Sequence, residues 1–328
     1  MITFDPQAWT PPKAPTLTGT YEENDLLASA ARLPTGGVGP EDVVLTDDGF
    51  AYTGLDDGRI LRFPAGSGDA AVVADTGGRP LGTELSGDGT LLVCDADRGL
   101  LRVAPTGEVT TLVDSFRGER FVFTNNAAIA SDGAIYFTVT STRYTVHLYV
   151  DDLLEHSGTG RLFAYRPDGT TELLLDGLQF ANGVALDSNE DSVFVVETGS
   201  YRILRYWLAG EQSGKTDVFT DNLPGFPDNA SFGNGILWLG LPSPRQMLVD
   251  KLMPRPWLRN LTNRLPDSTK PKALRHGMIL GFDESGAVQH NLQDSTGSVA
   301  ITTSARWHEG RLYIGSLQEP DVIVYDLG

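Results

Sequence analysis

The run Ser131-Asp-Gly-Ala-Ile-Tyr-Phe-Thr joins a tight Asp-Gly turn to an apolar strand, and the chain contains six copies of this unit. The other copies start, in chain order, at Asp48, Gly87, Asp191, Gly233 and Glu309. A second strand, often with an Arg, follows each of them. Short strands, Asp-Gly turns and a period of about 40–50 residues are typical of propeller blades. The sequence therefore predicts an all-β fold, a six-bladed β-propeller, because a β-sandwich would not repeat a whole multi-strand unit.

Two of the repeats are longer than the others. Residues 141–160 extend the third repeat, and residues 242–275 extend the fifth. In the fifth, Met247-Leu-Val-Asp-Lys-Leu-Met and Trp257-Leu-Arg-Asn-Leu have the apolar spacing of an amphipathic helix. Long excursions from a compact repeat are often functional. This helical insertion therefore either packs on the propeller as structure or covers its central pocket.

The composition is that of a globular protein with a strongly acidic balance. The 328 residues are 40% hydrophobic, and the formal net charge is −18. This charge argues against nucleic acid and against an anionic membrane surface, because both attract basic residues. By length and repeat, we expect a propeller at residues 35–328, preceded by an N-terminal extension, residues 1–34, that packs on it.

The chain shows no targeting or membrane signal. It has no stretch of about 18 apolar residues, so we expect no membrane span. The N-terminal run Met1-Ile-Thr-Phe-Asp-Pro lacks the basic and apolar regions of a signal peptide. These two observations predict a cytoplasmic protein.

Four oxygen-bearing residues stand at the same position in four of the repeats: Glu41, Asn125, Asn182 and Asp228. Each lies seven to nine residues before the turn that leads into the apolar strand. If the repeats surround an axis, equivalent positions converge on that axis. Two carboxylates and two amides there suit a hard cation such as Ca²⁺, which takes 6–8 oxygen ligands and leaves positions for water and substrate. The alternative is that each is a turn residue bonded to its own backbone.

The residue types in this ring limit the metal and the shape of the site. The ring has no His or Cys, which argues against zinc and copper, while divalent cations other than calcium remain compatible. In the second repeat the equivalent position is near Gly82, which leaves space on one side. In the sixth it is Thr302 or Thr303. Glu84 is close to the register of the second repeat and either lines the pocket or faces solvent.

Three stretches and the sixth repeat resemble one known family. Gly78-Arg-Pro-Leu-Gly, Phe180-Ala-Asn-Gly-Val and Leu223-Pro-Gly-Phe-Pro-Asp-Asn, together with His308-Glu-Gly-Arg-Leu-Tyr-Ile-Gly-Ser, are similar to the strictosidine synthase-like proteins. The resemblance extends over nearly the whole chain from about Thr35. The wider group includes gluconolactonase (senescence marker) proteins, paraoxonases and diisopropyl fluorophosphatase.

The resemblance implies a six-bladed propeller with catalytic calcium. The hydrolases of this group hold the ion with Glu, Asn, Asn and Asp, and these roles fall on Glu41, Asn125, Asn182 and Asp228, in agreement with the repeat register. Strictosidine synthase itself uses a Glu seven residues before the Gly of a turn in the sixth blade. That position is Thr303 here, which cannot act as a base, so strictosidine synthesis is not expected.

The predicted activity is hydrolysis of a lactone or related ester, a small-molecule substrate. Calcium would stabilise the developing oxyanion. Asp228 would deprotonate a water or attack directly, and His147 is the candidate for a separate general base. The aromatic side chains of Phe121, Phe123, Tyr144 and Phe226 are candidates for an apolar pocket wall, although core packing explains them equally well. Two alternatives remain open: a phosphotriesterase-type hydrolase of the same fold, and a non-catalytic binding propeller stabilised by calcium.

Overall fold

The computed structural model describes residues 3–67, 69–266 and 270–328, and these form six four-stranded antiparallel sheets. The predicted six-bladed propeller is confirmed. In the first three blades the strands follow one another in the chain: β2 (Val43–Leu45), β3 (Phe50–Gly54), β4 (Arg59–Pro64), β5 (Ala71–Asp75), β6 (Pro80–Leu85), β7 (Leu91–Asp95), β8 (Gly99–Val103), β9 (Val109–Val113), β12 (Thr124–Ile129), β13 (Ile135–Val139), β14 (Gly160–Tyr165) and β15 (Thr171–Leu178). A small hairpin, β10 (Ser115–Phe116) with β11 (Glu119–Arg120), precedes the third blade.

The fourth and fifth blades follow the same order of strands. They contain β16 (Ala181–Leu186), β17 (Ser192–Glu197), β18 (Arg202–Trp207), β19 (Thr216–Thr220), β20 (Ala230–Gly233), β21 (Ile236–Gly240), β22 (Gly277–Phe282) and β23 (Val288–Asp294). The first strand of each blade is the innermost, and neighbouring blades bury apolar side chains against each other. Between the fourth and fifth blades, for example, Phe194, Leu237 and Phe282 are at most 2% exposed and belong to one apolar cluster. This burial between blades holds the ring of sheets together.

The sixth blade closes the ring with a strand from the other end of the chain. Its strands are β24 (Thr302–His308), β25 (Arg311–Ser316), β26 (Asp321–Asp326) and, outermost, β1 (Ala31–Pro34). β1 pairs antiparallel with β26 from Ala31↔Val324 to Pro34↔Asp321. Residues 31–34, which the sequence analysis assigned to the N-terminal extension, are therefore part of the propeller. This pairing bonds the two ends of the ring to each other.

Among residues 3–67, 69–266 and 270–328, three short α-helices lie on the long connections of two blades. α1 (Tyr149–Glu155) is in the extension of the third blade, and α2 (Met247–Leu252) and α3 (Pro256–Thr262) are in the insertion of the fifth. The predicted helical insertion is thus confirmed. Short 3₁₀ turns occupy Gly19–Tyr21, Leu26–Ser29, Val146–Leu148, Thr198–Ser200 and Gly210–Gln212. In the part of the chain that the structure describes, no helix has the length and apolar content needed to cross a membrane.

The N-terminal segment before β1 packs across these helices. The backbone N–H of Gln7 donates to the carbonyl of Glu155 at the end of α1 (2.8 Å), and that of Trp9 donates to the carbonyl of Met253 just after α2 (3.3 Å). The Trp9 ring stacks on the His156 ring with centroids 4.4 Å apart. The segment therefore connects the helices of the third blade with those of the fifth.

Candidate functional site

The four oxygen-bearing residues of the repeat register meet in one cavity at the start of the innermost strands. Glu41, Asn125, Asn182 and Asp228 all line this cavity, whose volume is ≈ 990 Å³ including its open mouth. They are 4%, 2%, 3% and 9% exposed, respectively. We call these four side chains the floor of the cavity. The register position that the sequence predicted to converge therefore does converge.

Local irregularities in the innermost strands set the direction of the two amides. The pairing register of β12 with β13 shifts between Thr124 and Ala127, and that of β16 with β17 shifts between Ala181 and Val184. Each shift is a bulge that includes the floor residue of that blade. Bulges interrupt the regular alternation of side chains and re-aim them, commonly beside functional sites.

Hydrogen bonds to threonines fix which end of each amide faces the cavity. Asn125 Nδ2 donates to Thr140 Oγ1 (2.9 Å), and this hydroxyl in turn donates to the Ala181 carbonyl (2.8 Å). In the next blade, Asn182 Nδ2 donates in the same way to Thr198 Oγ1 (3.1 Å), which donates to a backbone carbonyl. Because each hydroxyl proton is already used, each hydroxyl must accept from the amide nitrogen. The amide oxygens are thereby left free.

Each floor residue has one buried oxygen without a hydrogen-bond partner. These atoms are Glu41 Oε2, Asn125 Oδ1, Asn182 Oδ1 and Asp228 Oδ1. A buried polar atom without a partner costs about 1–3 kcal/mol, and four such oxygens in one place would be an unusual concentration of that cost. A cation coordinated by all four oxygens would remove this cost. The donor set, two carboxylates and two neutral amides, fits a calcium ion.

The electrostatics of the two carboxylates point to the same conclusion. Burial raises the pKa of Glu41 well above its usual range, and the nearby Asp228 adds to this, while Arg79 opposes it. Burial likewise raises the pKa of Asp228 from 3.8 to about 7, with a further contribution from Asp42 and an opposing hydrogen bond from Asn182. Two buried carboxylates repel each other, whereas a divalent cation between them would favour the charged form of both.

The site depends on its amide oxygens. Among residues 3–67, 69–266 and 270–328, no group of three or more His, Cys, Asp and Glu side chains is placed to hold a metal ion. Two carboxylates alone leave most positions of a calcium ion unfilled, so the amides of Asn125 and Asn182 are required. An oxygen-only set without imidazole or thiolate suits calcium better than zinc or copper.

The second and sixth blades contribute support where the other four contribute floor residues. A Cβ on Gly82 would meet the Asn125 carbonyl oxygen at 2.8 Å and the Asn126 Cα at 2.7 Å, so only glycine permits this close approach of two inner strands. Gly82 thus brings backbone next to Asn125 and leaves no empty space there. In the sixth blade, Thr303 Oγ1 donates to the Glu41 carbonyl (2.6 Å) and holds the backbone of that floor residue.

A charged cluster lies one to three residues further along the inner strands, with Asp42 buried and Glu84 and Arg306 partly buried. Arg306 Nη2 is 2.7 Å from Glu84 Oε1 and 3.7 Å from Asp42 Oδ2, and it donates to the Thr83 carbonyl (3.3 Å). Glu84, an open case in the sequence analysis, therefore pairs with Arg306. Sequence reasoning missed Asp42 and Arg306, although Asp42 directly follows the floor residue Glu41. The Arg306 guanidinium therefore offsets part of the negative charge of Glu84 and Asp42 in this part of the channel.

An apolar wall rises from the floor and follows the same repeat. Residues two positions before the floor register line the cavity: Phe123, Phe180, Phe226 and Ile301. Phe123 and Phe226 are among the wall residues predicted from the sequence. Phe180 and Ile301 were missed, although each lies two positions before a register residue, Asn182 and Thr303 respectively. The remaining aromatic candidates have other contacts. Phe121 packs against Phe137 and Phe163 in the core, and Tyr144 Oη donates to Glu155.

The long connections of the third and fifth blades close over this wall. Val146, Tyr149, Val150 and Leu153 line the cavity from α1 and the turn before it. The fifth-blade insertion contributes Gln246, Val249, Pro271, Lys272 and Ala273. We call α1 together with residues 242–266 and 270–275 the cover. Of the two readings of the helical insertion, a cover over the central pocket is the one observed.

His147 is not brought together with the floor. It is exposed on the 3₁₀ turn Val146–Leu148, while its neighbours Val146 and Tyr149 line the cavity. On this turn, consecutive side chains point in different directions, which sequence position alone does not reveal. Tyr149, two residues further on, does line the cavity and carries a titratable hydroxyl. Burial and the charge of Asp228 raise its pKa, so its hydroxyl stays protonated and can donate a hydrogen bond.

Buried polar contacts hold the cover in place. Arg259 of α3 is 0% exposed and donates to the Met253 carbonyl (2.9 Å) and to the carbonyls of Leu154 and Gln7. It therefore joins α2, α1 and the N-terminal segment. Glu155, at the end of α1, is also buried and is paired with Arg143 (3.1 Å). Because α2 and α3 are six and seven residues long, they are too short to be stable alone and depend on such contacts.

Family models and sequence relatives point to the same protein family. The family models for strictosidine synthase and for the strictosidine synthase-like N-terminal region match residues 125–211 and 19–63, respectively. The chain is 36% identical to adipocyte plasma membrane-associated protein from Salmo salar, over 95% of this chain and 82% of that protein. It is also 36% identical to protein strictosidine synthase-like 10 from Arabidopsis thaliana, over 89% of this chain and 86% of that protein.

Solved structures of more distant proteins have the same fold. A gluconolactonase from Xanthomonas campestris superimposes with a TM-score of 0.67 at 18% identity, covering 92% of this chain and 91% of that one. The calcium-binding protein regucalcin from Agrobacterium tumefaciens superimposes with a TM-score of 0.61 at 14% identity, covering 90% and 92%. At these identities the likeness establishes the propeller architecture. The sequence relatives show that the chain belongs to the strictosidine synthase-like family.

Proposed function

We propose that this protein is a calcium-dependent hydrolase that opens a lactone or a related ester carrying an apolar group. The observation that carries the proposal is the set of four buried, unpartnered oxygens of Glu41, Asn125, Asn182 and Asp228 at the floor of an apolar cavity. The gluconolactonase and regucalcin neighbours, named for lactone hydrolysis and calcium binding, support the same reading. Fold likeness alone would not, because one fold supports many functions.

The chain supplies the parts that such a reaction needs. When bound at the floor, a calcium ion would act as a Lewis acid on the carbonyl oxygen of the ester. The Asp228 carboxylate, at the same floor, would accept a proton from the attacking water or attack the carbonyl carbon itself. The Tyr149 hydroxyl lines the cavity and would donate a hydrogen bond to the bound substrate. No residue of the sixth blade supplies the carboxylate of strictosidine synthase, because Thr303 takes that position.

The cavity wall favours apolar substrates. Aromatic and aliphatic side chains form most of its lining above the floor, with Phe123, Phe180, Phe226 and Ile301 nearest to the floor. A concave apolar pocket with a few convergent polar groups binds ligands mainly through their apolar parts. We therefore expect lactones with alkyl or aryl substituents to react with a higher kcat/KM than sugar lactones.

The test is hydrolysis of a panel of lactones, aryl esters and organophosphates before and after chelation, with calcium added back. We expect turnover of an apolar lactone that chelation abolishes and calcium restores. Organophosphate turnover above that of every lactone would instead identify a phosphotriesterase. Folded, calcium-binding protein without turnover of any class would contradict the hydrolase and favour a binding propeller.

A further inference from the structure

The outer face of the cover exposes an unusual number of large apolar side chains. Among the residues that the structure describes, eleven large hydrophobic residues are exposed, and six of them lie in the fifth-blade insertion: Met247, Leu248, Trp257, Leu261, Leu265 and Leu274. Met247 and Trp257 are each 69% exposed, and Leu248 is 64% exposed. Scattered exposed apolar residues are ordinary, but this concentration on one short segment marks an interaction surface.

The same segment is basic in an otherwise acidic protein. Residues 242–275 contain eight Lys or Arg and two Asp, a formal charge of +6, whereas the whole chain carries −18. The rest of the chain therefore carries −24. Charges more than about 10 Å apart are largely screened at physiological salt. A partner that touches the cover consequently meets its positive charge and not the average charge of the protein.

Part of this positive charge is free to meet a partner. Lys251, Arg255, Arg264 and Lys272 are exposed. Within residues 3–67, 69–266 and 270–328, none of these four forms an ion pair. Other basic residues of the insertion are used inside the protein, such as Arg245, which pairs with Asp250 (2.8 Å).

On α2 the apolar residues Met247 and Leu248 and the basic Lys251 are exposed to solvent. Val249, Leu252 and Met253 are buried on the inner side of α2. Gln246 Nε2 donates to the Lys272 carbonyl (2.7 Å), which brings the two ends of the insertion together. Gln246 and Lys272 also line the cavity. The exposed face is thus next to the entrance of the cavity.

We propose that this face of the cover docks on an anionic phospholipid surface. Short amphipathic helices with Trp and Leu on the exposed side and Lys and Arg among them bind the interface of such membranes. Each basic residue near an anionic lipid surface adds attraction. The charge also argues against a second copy of this chain, because two faces that each carry the unpaired Lys251, Arg255, Arg264 and Lys272 would repel each other. Docking would place the entrance of the cavity at the source of apolar substrates, a consequence that rests on the proposed function.

The test is co-sedimentation of the protein with vesicles, because this readout does not depend on enzymatic activity. We expect binding to vesicles of phosphatidylcholine mixed with phosphatidylserine, and at least about tenfold weaker binding to phosphatidylcholine alone. Raising the salt concentration should weaken the binding. The double variant Lys251→Gln with Arg264→Gln should bind the anionic vesicles about tenfold more weakly or worse. Arg102→Gln, at an exposed position on a blade strand, is the matched control and should bind like wild type.

Variants of Trp257 provide a second, independent test of vesicle binding. Trp257→Ser should weaken binding about fivefold or more, while Val218→Ser, an equally simple change at an exposed position of β19, should not. Trp257→Phe should bind normally but lose most of the quenching of Trp fluorescence by brominated lipid. Equal binding to both kinds of vesicle, or no binding at low salt by folded protein, would overturn the proposal. So would a dimer that Trp257→Ser dissociates in the absence of lipid.

Discussion

The floor of the cavity carries two carboxylates and two amides on strands, whereas the cover above it is helical, apolar and basic. Floor side chains sit at one register of a repeat. A threonine of the same blade orients each amide and donates to a carbonyl at the next inner strand, and Thr303 of the sixth blade holds the Glu41 carbonyl. The cover has no repeat, and its short helices depend on a few buried contacts centred on Arg259. The floor is therefore fixed by the whole ring, while the cover is able to loosen without disturbing the propeller.

Of the changes considered, Asp228→Asn should lower the rate of hydrolysis most, and it should alter the floor without altering the cover. We expect hydrolysis to fall about 10³-fold, because the variant loses both a metal ligand and the acceptor of the proton. The metal-free variant should nevertheless unfold at a higher temperature than the metal-free wild type, because the substitution removes a buried carboxylate with a raised pKa. Both effects are measured with initial rates and calorimetry.

Asp326→Asn, at an exposed position, is the control for Asp228→Asn. It should change neither the rate nor the unfolding temperature. Hydrolysis by Asp228→Asn within about tenfold of wild type would contradict the assignment of Asp228.

Changing Arg259 to Met should loosen the cover and leave the floor intact. The carbonyls of Leu154, Met253 and Gln7 would lose their donor, which costs about 2–3 kcal/mol of local stability. Amide hydrogen exchange should become faster in α1, α2 and α3 and stay unchanged in the inner strands. Arg255→Met, on the exposed side, is the control. Faster exchange in all six blades would show that cover and floor unfold together.

Changing Thr140 to Val should weaken calcium binding about tenfold, since the Asn125 amide loses the partner that orients its oxygen. Isothermal titration with calcium measures the effect. Thr110→Val, at an exposed position of β9, is the control. An unchanged affinity would mean that the amide orientation is fixed by other contacts.

The smallest effect expected is a pH dependence of the stabilisation by calcium. The raised pKa of Asp228 favours the folded metal-free protein below its ordinary pKa of 3.8, and this contribution is lost as the pH rises through about 7. Calcium needs the charged carboxylate, so it should raise Tm by about 2–4 °C more at about pH 8 than at about pH 5. Thermal scans with calcium and with chelator give this difference. An equal rise at both pH values would contradict a carboxylate ligand of raised pKa.

The difference between floor and cover also explains what the sequence reveals. Six turn-and-strand copies predict six blades, and equivalent positions must converge on the axis, so Glu41, Asn125, Asn182 and Asp228 follow from register alone. The wall residue Phe180 was missed although it obeys the same rule with an offset of two positions. Repetition therefore gives both the fold and the floor.

The features without repetition could not be predicted in this way. The run Ala31-Arg-Leu-Pro has no turn signal, so the sequence pattern places it in the N-terminal extension. In the structure it forms β1 and pairs with residues nearly 300 positions away. The outward position of His147 depends on one 3₁₀ turn. The contacts of Arg259 join three segments that are distant in sequence. For β1 and Arg259 a long-range contact decides the structure, and for His147 the backbone geometry of one turn does; the local sequence pattern contains neither.

Titration of calcium into chelator-treated protein tests the central claim most directly, with wild type and Glu41→Gln compared side by side. The four unpartnered oxygens predict one strong calcium site in wild type, with a marked rise in Tm. They also predict loss of that site in Glu41→Gln, although the variant stays folded. A wild-type protein that binds no calcium, or a Glu41→Gln variant that binds it equally well, would contradict the assignment of the floor as a metal centre.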